Sequence, residues 1–315
     1  MSRGLVAMSL IRINTSPQGP VTHNGGAPAG PALRQALSPR TAQGSAGPII
    51  VMVHGYRFLP GDPHHCPHRH ILSDHRSHAC RKAVSWPRGL GIGEDGRLGL
   101  AFGWPARGTI WQAYARAEAA GRDLAQVLAE LRRLAPHRPI HALGHSLGAR
   151  VLLSALAALD SPVLDRVLLL AAADHASHLE AALTSPAGRR ARLLHVTSGE
   201  NGVFDLMLGG LVLGRRWNDA VLGRAGAPDL PELRLDDSRH LAGLCALGFP
   251  LAAPDRRICH WSTYLREGAF PLYRALTGPQ GAALHAEVTQ AIGKPARPAR
   301  AGWSLPLPWG ANASS

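Results

Sequence analysis

Apolar positions alternate along this chain between two rhythms. Short continuous apolar runs stand at 48–56 (PIIVMVHGY), 98–108 (LGLAFGWPARG), 139–146 (PIHALGHS), 166–174 (RVLLLAAAD) and 191–201 (ARLLHVTSGEN). Runs without polar alternation predict strands covered on both faces. Between them the spacing becomes helical: Leu124, Val127, Leu128, Leu131 and Leu134 recur every three or four residues, as do Leu147, Val151, Leu152, Leu156 and Leu159. HLEAALTSPAGRR predicts a further connecting helix. Strands alternating with helices of this length predict βαβ units: an α/β protein, a three-layer sandwich with a mostly parallel central sheet and helices on both faces.

Outside that rhythm the pattern loosens. Residues 1–48 read as a loop-rich lead-in broken by one helix at PALRQAL, and residues 49–294 as the body of the domain. Within it, residues 57–97 form a long aperiodic excursion, of the kind that serves as a lid or binding loop. Beyond Phe204, VFDLMLGGLVLG reads as an apolar helix, RRICHWSTY as a late strand and AFPLYRAL as a helix. The Pro- and Gly-rich residues 295–315 read as a disordered tail.

Composition narrows the picture. No apolar stretch approaches the roughly 20 residues of a membrane span; the best candidate, LAGLCALGFPLAAP, is cut by Pro250. Stable membrane insertion is therefore not expected. The amino terminus lacks the apolar core of a secretory signal, and Cys66, Cys80, Cys245 and Cys259 do not amount to a disulfide scaffold, so the expected compartment is the cytoplasm. The formal charge is +13, almost all of it arginine, since the only lysines are Lys82 and Lys294. Basic pairs such as Arg132–Arg133, Arg189–Arg190 and Arg215–Arg216 lie far apart in sequence, which argues against a continuous phosphate-tracking surface, so nucleic acid is not an expected partner. The sequence leaves the oligomeric state open.

The chemistry concentrates in GHSLG, where Ser146 stands between Gly144 and Gly148 at the junction of a strand and a helix. That context defines a nucleophile elbow: a sharp turn lifts the serine hydroxyl above the sheet, and the helix amino terminus behind it offers free N–H groups to a developing oxyanion. A serine at this position argues against chemistry that needs a carboxylate nucleophile. A serine hydroxyl also needs a base to take its proton, and a partner to orient that base. Here the chain resembles the α/β-hydrolase superfamily, over roughly residues 49–275. GHSLGARV is similar to the superfamily's elbow, and VMVHGY to its oxyanion-hole strand. FGWPARG, with the helix containing YARAEAAGRDLAQVLAEL, is similar to a bacterial branch of serine hydrolases with a Trp-Pro strand end.

The resemblance implies the order serine, acid, histidine. Three histidines follow the fifth strand: His240, His260 and His285. His260 suits a base on a loop after the last strand, whereas His240 follows no strand and His285 lies in a helical pattern. For the acid, Glu200 is the first carboxylate after the fifth strand, with Asn201 and Gly202 in neighbouring slots; Asp174 and Asp205 are the alternatives. Backbone amides of Tyr56 and Leu147 are the expected oxyanion donors. The expected activity is hydrolysis of a small-molecule carboxylic ester or related acyl compound, without a cofactor, with acyl transfer left open; a catalytically silent binding or scaffold protein is the rival. The excursion also carries six histidines from His64 to His78, flanked by Cys66 and Cys80. Their spacing fits no paired zinc motif, so a solvated lid is expected rather than a metal site.

Overall fold

The computed structural model describes residues 9–38, 47–75, 84–212, 219–222 and 230–293. The 295–315 tail, Arg215–Arg216, His78, Cys80 and both lysines therefore lie outside the described residues. Eight strands form one sheet: β1 (Leu10–Asn14), β2 (Val21–Thr22), β3 (Ile49–Val53), β4 (Leu98–Gly103), β5 (Ile140–His145), β6 (Arg166–Leu170), β7 (Arg192–Thr197) and β8 (Glu232–Arg234), in the order β2-β1-β4-β3-β5-β6-β7-β8. Every pairing is parallel except β1 with β2.

The five predicted strands are β3 to β7. Two parts of the sheet depart from the sequence reading. Residues expected as lead-in supply β1, which pairs in parallel with β4 along its whole length. The predicted late strand at RRICHWSTY is absent; Ser262–Leu265 is a short helix and His260 stands in a loop. The true last strand, β8, is a three-residue run too short to show a period.

Side-chain alternation along the strands builds two cores. Ile49, Val51 and Val53 face one way with Leu100, Phe102, Val167 and Leu169, against α1 (Ala29–Ala36), α3 (Ile110–Leu134), α4 (Leu147–Ala158) and α5 (Ala176–Thr184). Ile50 and Met52 face the other way with Leu143, Leu168 and Leu194, against α2 (Trp86–Gly89), α7 (Ser238–Ala246), α9 (Ala269–Leu276) and α10 (Gly281–Ile292). Two further helices, α6 (Gly202–Leu211) and α8 (Ser262–Leu265), sit in the loops beyond the carboxyl ends of the strands. Burial on both faces explains why these strands carry no polar alternation. The result is a three-layer α/β architecture, with helices on both faces of a mostly parallel sheet. Among the described residues no helix is long and apolar enough to cross a membrane.

Candidate active site

The carboxyl ends of β3, β4, β5, β6 and β7 converge on Ser146. This residue has φ 56° and ψ −124°, a conformation side chains avoid, and it caps the amino terminus of α4. The neighbouring backbone holds the strain: Ser146 N–H donates to the Leu170 carbonyl at 2.9 Å, and its own carbonyl accepts from Ala149 and Ala173. The flanking glycines are steric necessities. A Cβ on Gly148 would lie 2.4 Å from the Val53 carbonyl oxygen, and one on Gly144 would lie 2.6 Å from the Gly148 carbonyl oxygen. The sequence reading expects a hydroxyl lifted into the open; residue Ser146 as a whole is only 4% exposed. Part of the cover is the β3 loop, so close that a Cβ on Gly55 would lie 2.9 Å from the Ser146 Cβ.

His54 and Trp104 fix that loop. The Trp104 backbone N–H donates to His54 Nε2 at 3.0 Å, and the indole N–H donates to the His54 carbonyl at 2.9 Å. Since Nε2 accepts, the ring proton sits on Nδ1 and is donated to the Gly55 carbonyl at 2.9 Å. Burial pushes the His54 pKa down to about 4, so the ring stays neutral and this arrangement persists at neutral pH. The Trp-Pro strand end thus clamps the segment carrying the Tyr56 amide. Leu147 is the first residue of α4, so its N–H has no intrahelical acceptor.

His260 is tied to the elbow through His145, the residue before Ser146. His145 Nε2 donates to the His260 carbonyl at 2.8 Å, and the two rings lie 4.7 Å apart. The other face of the imidazole stacks on Phe204 at 4.6 Å. Its Nδ1 is 2.5 Å from Asn201 Oδ1, and Asn201 Nδ2 donates in turn to Asp205 Oδ1 at 2.8 Å. Desolvation, and then the neighbouring His145, hold the His260 pKa well below 6.5.

The three carboxylates considered from sequence therefore have different partners. Glu200 does not meet His260 among the described contacts: its carboxylate pairs with buried Arg266 and accepts from Ser198 Oγ at 3.0 Å. One residue decides this. The turn Gly199–Asn201 points successive side chains apart, so Asn201 reaches the imidazole and Glu200 the arginine. Asp205, one helical turn beyond in α6, backs the amide. Asp174 is fully buried among Arg150 (2.7 Å), Tyr114 (2.8 Å) and His178 (2.8 Å), and locks α3, α4 and α5 together behind the elbow. Burial pushes its pKa up, but the His178 hydrogen bond and the Arg150 charge overcome this and hold it below the usual value.

Asp174, His175 and His178 also offer ligand atoms within 4.8 Å of one another, the spacing of a metal site. Arg150 already fills that role, its guanidinium 2.7 Å from both Asp174 Oδ1 and His178 Nδ1. The described histidines of the excursion face separate partners: His65 lies against Asp62 and Arg107, and His68 against Asn14. Of the remaining late histidines, His240 accepts from the Arg234 backbone and His285 packs in α10 against the Leu193 carbonyl.

Residues 102–172, the segment from β4 through the elbow to β6, match a family model described as "Protein of unknown function (DUF726)". No curated protein matches the chain. Among solved structures, the chain is similar to an acetylxylan esterase, at 11% identity, covering 79% of this chain and all of that one, with a TM-score of 0.36. It is similar also to a putative cell surface hydrolase from Lactobacillus plantarum WCFS1, at 13% identity over 50% of this chain and 70% of that one, TM-score 0.31. A third is the phospholipase PlaB from Legionella pneumophila in complex with thio-NAD, at 13% identity over 48% of this chain and 38% of that one, TM-score 0.28. Likenesses this distant concern architecture alone, and any chemistry has to be read from the site.

Proposed function

We propose that the protein is a serine hydrolase that cleaves carboxylic esters through an acyl-enzyme on Ser146. The observation that carries this reading is the strained Ser146 backbone between two sterically required glycines, with the His260 carbonyl hydrogen-bonded to the ring of His145, which precedes Ser146. His260 Nδ1–H donates to Asn201 Oδ1, which leaves Nε2 unprotonated and free to take the serine proton. Ser146 Oγ then attacks the acyl carbon, and the carbonyl oxygen gathers negative charge opposite the Leu147 and Tyr56 amides. The imidazolium returns its proton to the departing alkoxide. Water, activated by the same nitrogen, releases the acid.

The third member of this triad is an amide. Asn201 orients the ring without placing a full charge on it, and Asp205 polarises the amide from behind. An apolar acyl or alcohol portion suits the surroundings, since Val203, Leu206, Met207 and Ile258 are exposed on the two segments that carry Asn201 and His260. The test is turnover of p-nitrophenyl esters of graded chain length by the native chain and by Ser146→Ala. Activity that rises with acyl length and vanishes in the variant supports the reading; activity retained by the variant overturns it.

Three observations favour a second reading, a silent binding protein: Ser146 is only 4% exposed, and among the described residues no hydrogen bond joins its hydroxyl to the His260 ring and no carboxylate touches His260 Nδ1. That reading expects no turnover of any ester by either form, together with saturable binding of an acyl compound.

A further inference from the structure

The opposite end of the sheet holds a second cavity, of about 970 Å³, among the amino ends of β3 to β7. Its charged lining is dominated by cations. Arg97, Arg166, Arg190 and Arg192 line it beside His141. Arg97 and Arg166 are buried, at 6% exposure each. Among the described residues they meet only neutral acceptors: Arg97 donates to the Leu90 and Arg274 carbonyls and to Thr277 Oγ1, and Arg166 to His141 Nε2 and the Gly278 carbonyl. No described carboxylate lies within 4.0 Å of either guanidinium. A buried cation without a counterion is costly, and proteins seldom keep one.

An unsatisfied donor points the same way. Arg166 Nε is buried without a partner. His141 is fully buried, and its Nε2 accepts from Arg166, so the ring proton sits on Nδ1, facing the Ile140 carbonyl without reaching good hydrogen-bond geometry. Burial and the Arg166 charge push the His141 pKa down to about 3, which keeps the ring neutral and this tautomer in place. The nearby carboxylates compensate only in part: Asp165 acts on the Arg166 charge, and Asp95 and Glu94 on that of Arg97, without direct contact. Asp165 Oδ2 already accepts from the Ile140 N–H at 2.8 Å and reaches Arg132 at 3.5 Å, while the largely exposed Asp95 leans towards Arg274. At the mouth, Arg190 and Arg192 are exposed and have no partner among the described residues.

We propose that this cavity is a binding site for a small polyanion carrying phosphoryl groups. Two buried guanidiniums at its floor and two exposed ones at its mouth match a ligand with charges spaced along its length, and the orphaned Arg166 Nε–H calls for an acceptor-only ligand. The cavity falls within the usual range for small-molecule sites, roughly 300–1,000 Å³. Lying at the other ends of the strands, it is separate from Ser146 and does not depend on the hydrolase reading.

Isothermal titration at fixed ionic strength tests it, with sodium pyrophosphate as the probe and orthophosphate, sulfate and a nucleoside triphosphate as further arms. The expected result is saturable binding of pyrophosphate at one per chain, weaker binding of the single-phosphorus and sulfur anions, and about a tenfold loss of affinity in Arg166→Gln. Tighter binding of the triphosphate than of pyrophosphate assigns the phosphoryl groups to a nucleotide; the reverse assigns them to an inorganic chain. Because Arg166 is buried, the exposed double variant Arg190→Gln/Arg192→Gln supplies a form whose folding is not in question, expected to bind several-fold more weakly with an unchanged melting temperature. No saturable binding of any anion overturns the proposal, as does equal affinity in the native chain and the double variant, or binding confined to a DNA duplex.

Discussion

The two ends of one parallel sheet handle buried charge in opposite ways. Among the described residues, each buried carboxylate at the carboxyl ends is paired through one oxygen, Asp174 with Arg150, Glu200 with Arg266 and Asp205 with Asn201, while Asp174 Oδ2 and Glu200 Oε1 accept nothing. At the amino ends Arg97 and Arg166 are buried against neutral groups, and Arg166 Nε has no acceptor. The first end has its buried charges matched by direct partners. The second is complete only with something added. Sheet geometry does not impose the difference; side chains chosen at the strand ends do.

The sharpest way to break this contrast is at the carboxyl end. Ser146→Ala or His260→Ala should lower ester turnover by about 10⁶-fold, with little further loss when the two are combined, because the pair acts as a unit. Single-turnover kinetics on a p-nitrophenyl ester checks this.

Next in size come the pairs that close the charge balance. Glu200→Gln leaves buried Arg266 uncompensated, which should cost about 3–5 kcal/mol, seen as a lowered denaturant midpoint; Asp174→Asn should cost less, because Arg150 keeps Glu118 at 3.3 Å. If Glu200 instead orients His260, Glu200→Gln should lower kcat in a protein of undiminished stability.

Asn201→Ala should reduce kcat by about 10²-fold through loss of ring alignment, with KM nearly unchanged. Asn201→Asp sharpens the same point. A carboxylate against Nδ1 stabilises the imidazolium, so the acid limb of kcat/KM should move to higher pH than in the native chain.

The most gradual effects are those of pH. A base that must be neutral to act loses activity as pH falls through its pKa, and His260 lies well below 6.5, so the native plateau should extend below that value. Stability follows the same sign. His54 and His145 have folded pKa values of about 4 against an ordinary 6.5, so between those values the unfolded chain binds more protons than the folded one. Their contribution is full above pH 6.5 and falls as pH drops towards 4, by up to about 1.4 kcal/mol per pH unit for each ring. Urea titrations across that window should show the slope.

Much of this was legible in the sequence, for reasons that differ by residue. The five central strands announce themselves because burial on both faces removes polar alternation, and the elbow does so because only glycines tolerate its backbone contacts. The first strand was hidden because LIRIN alternates like an ordinary amphipathic segment, and the last because three residues cannot carry a period. His260 is singled out by chain order, although the strand expected before it is a loop. Asn201 was passed over as the imidazole's partner because an amide carries no charge to draw attention, and spacing along a turn does not reveal which side chain points where. The role of Trp104 in clamping His54 likewise depends on two strand ends meeting in space. The amino-end cavity draws on five separate strand starts, and no local stretch of sequence could display it.

The central claim is that Ser146 is a nucleophile made reactive by its turn and by His260. Labelling the purified protein with a fluorophosphonate probe, and locating the adduct by peptide mass spectrometry, tests it directly. The account predicts one adduct per chain on Ser146, absent in Ser146→Ala and strongly slowed in His260→Ala. No adduct on the native chain, or an equal adduct on the Ser146→Ala variant, would contradict it.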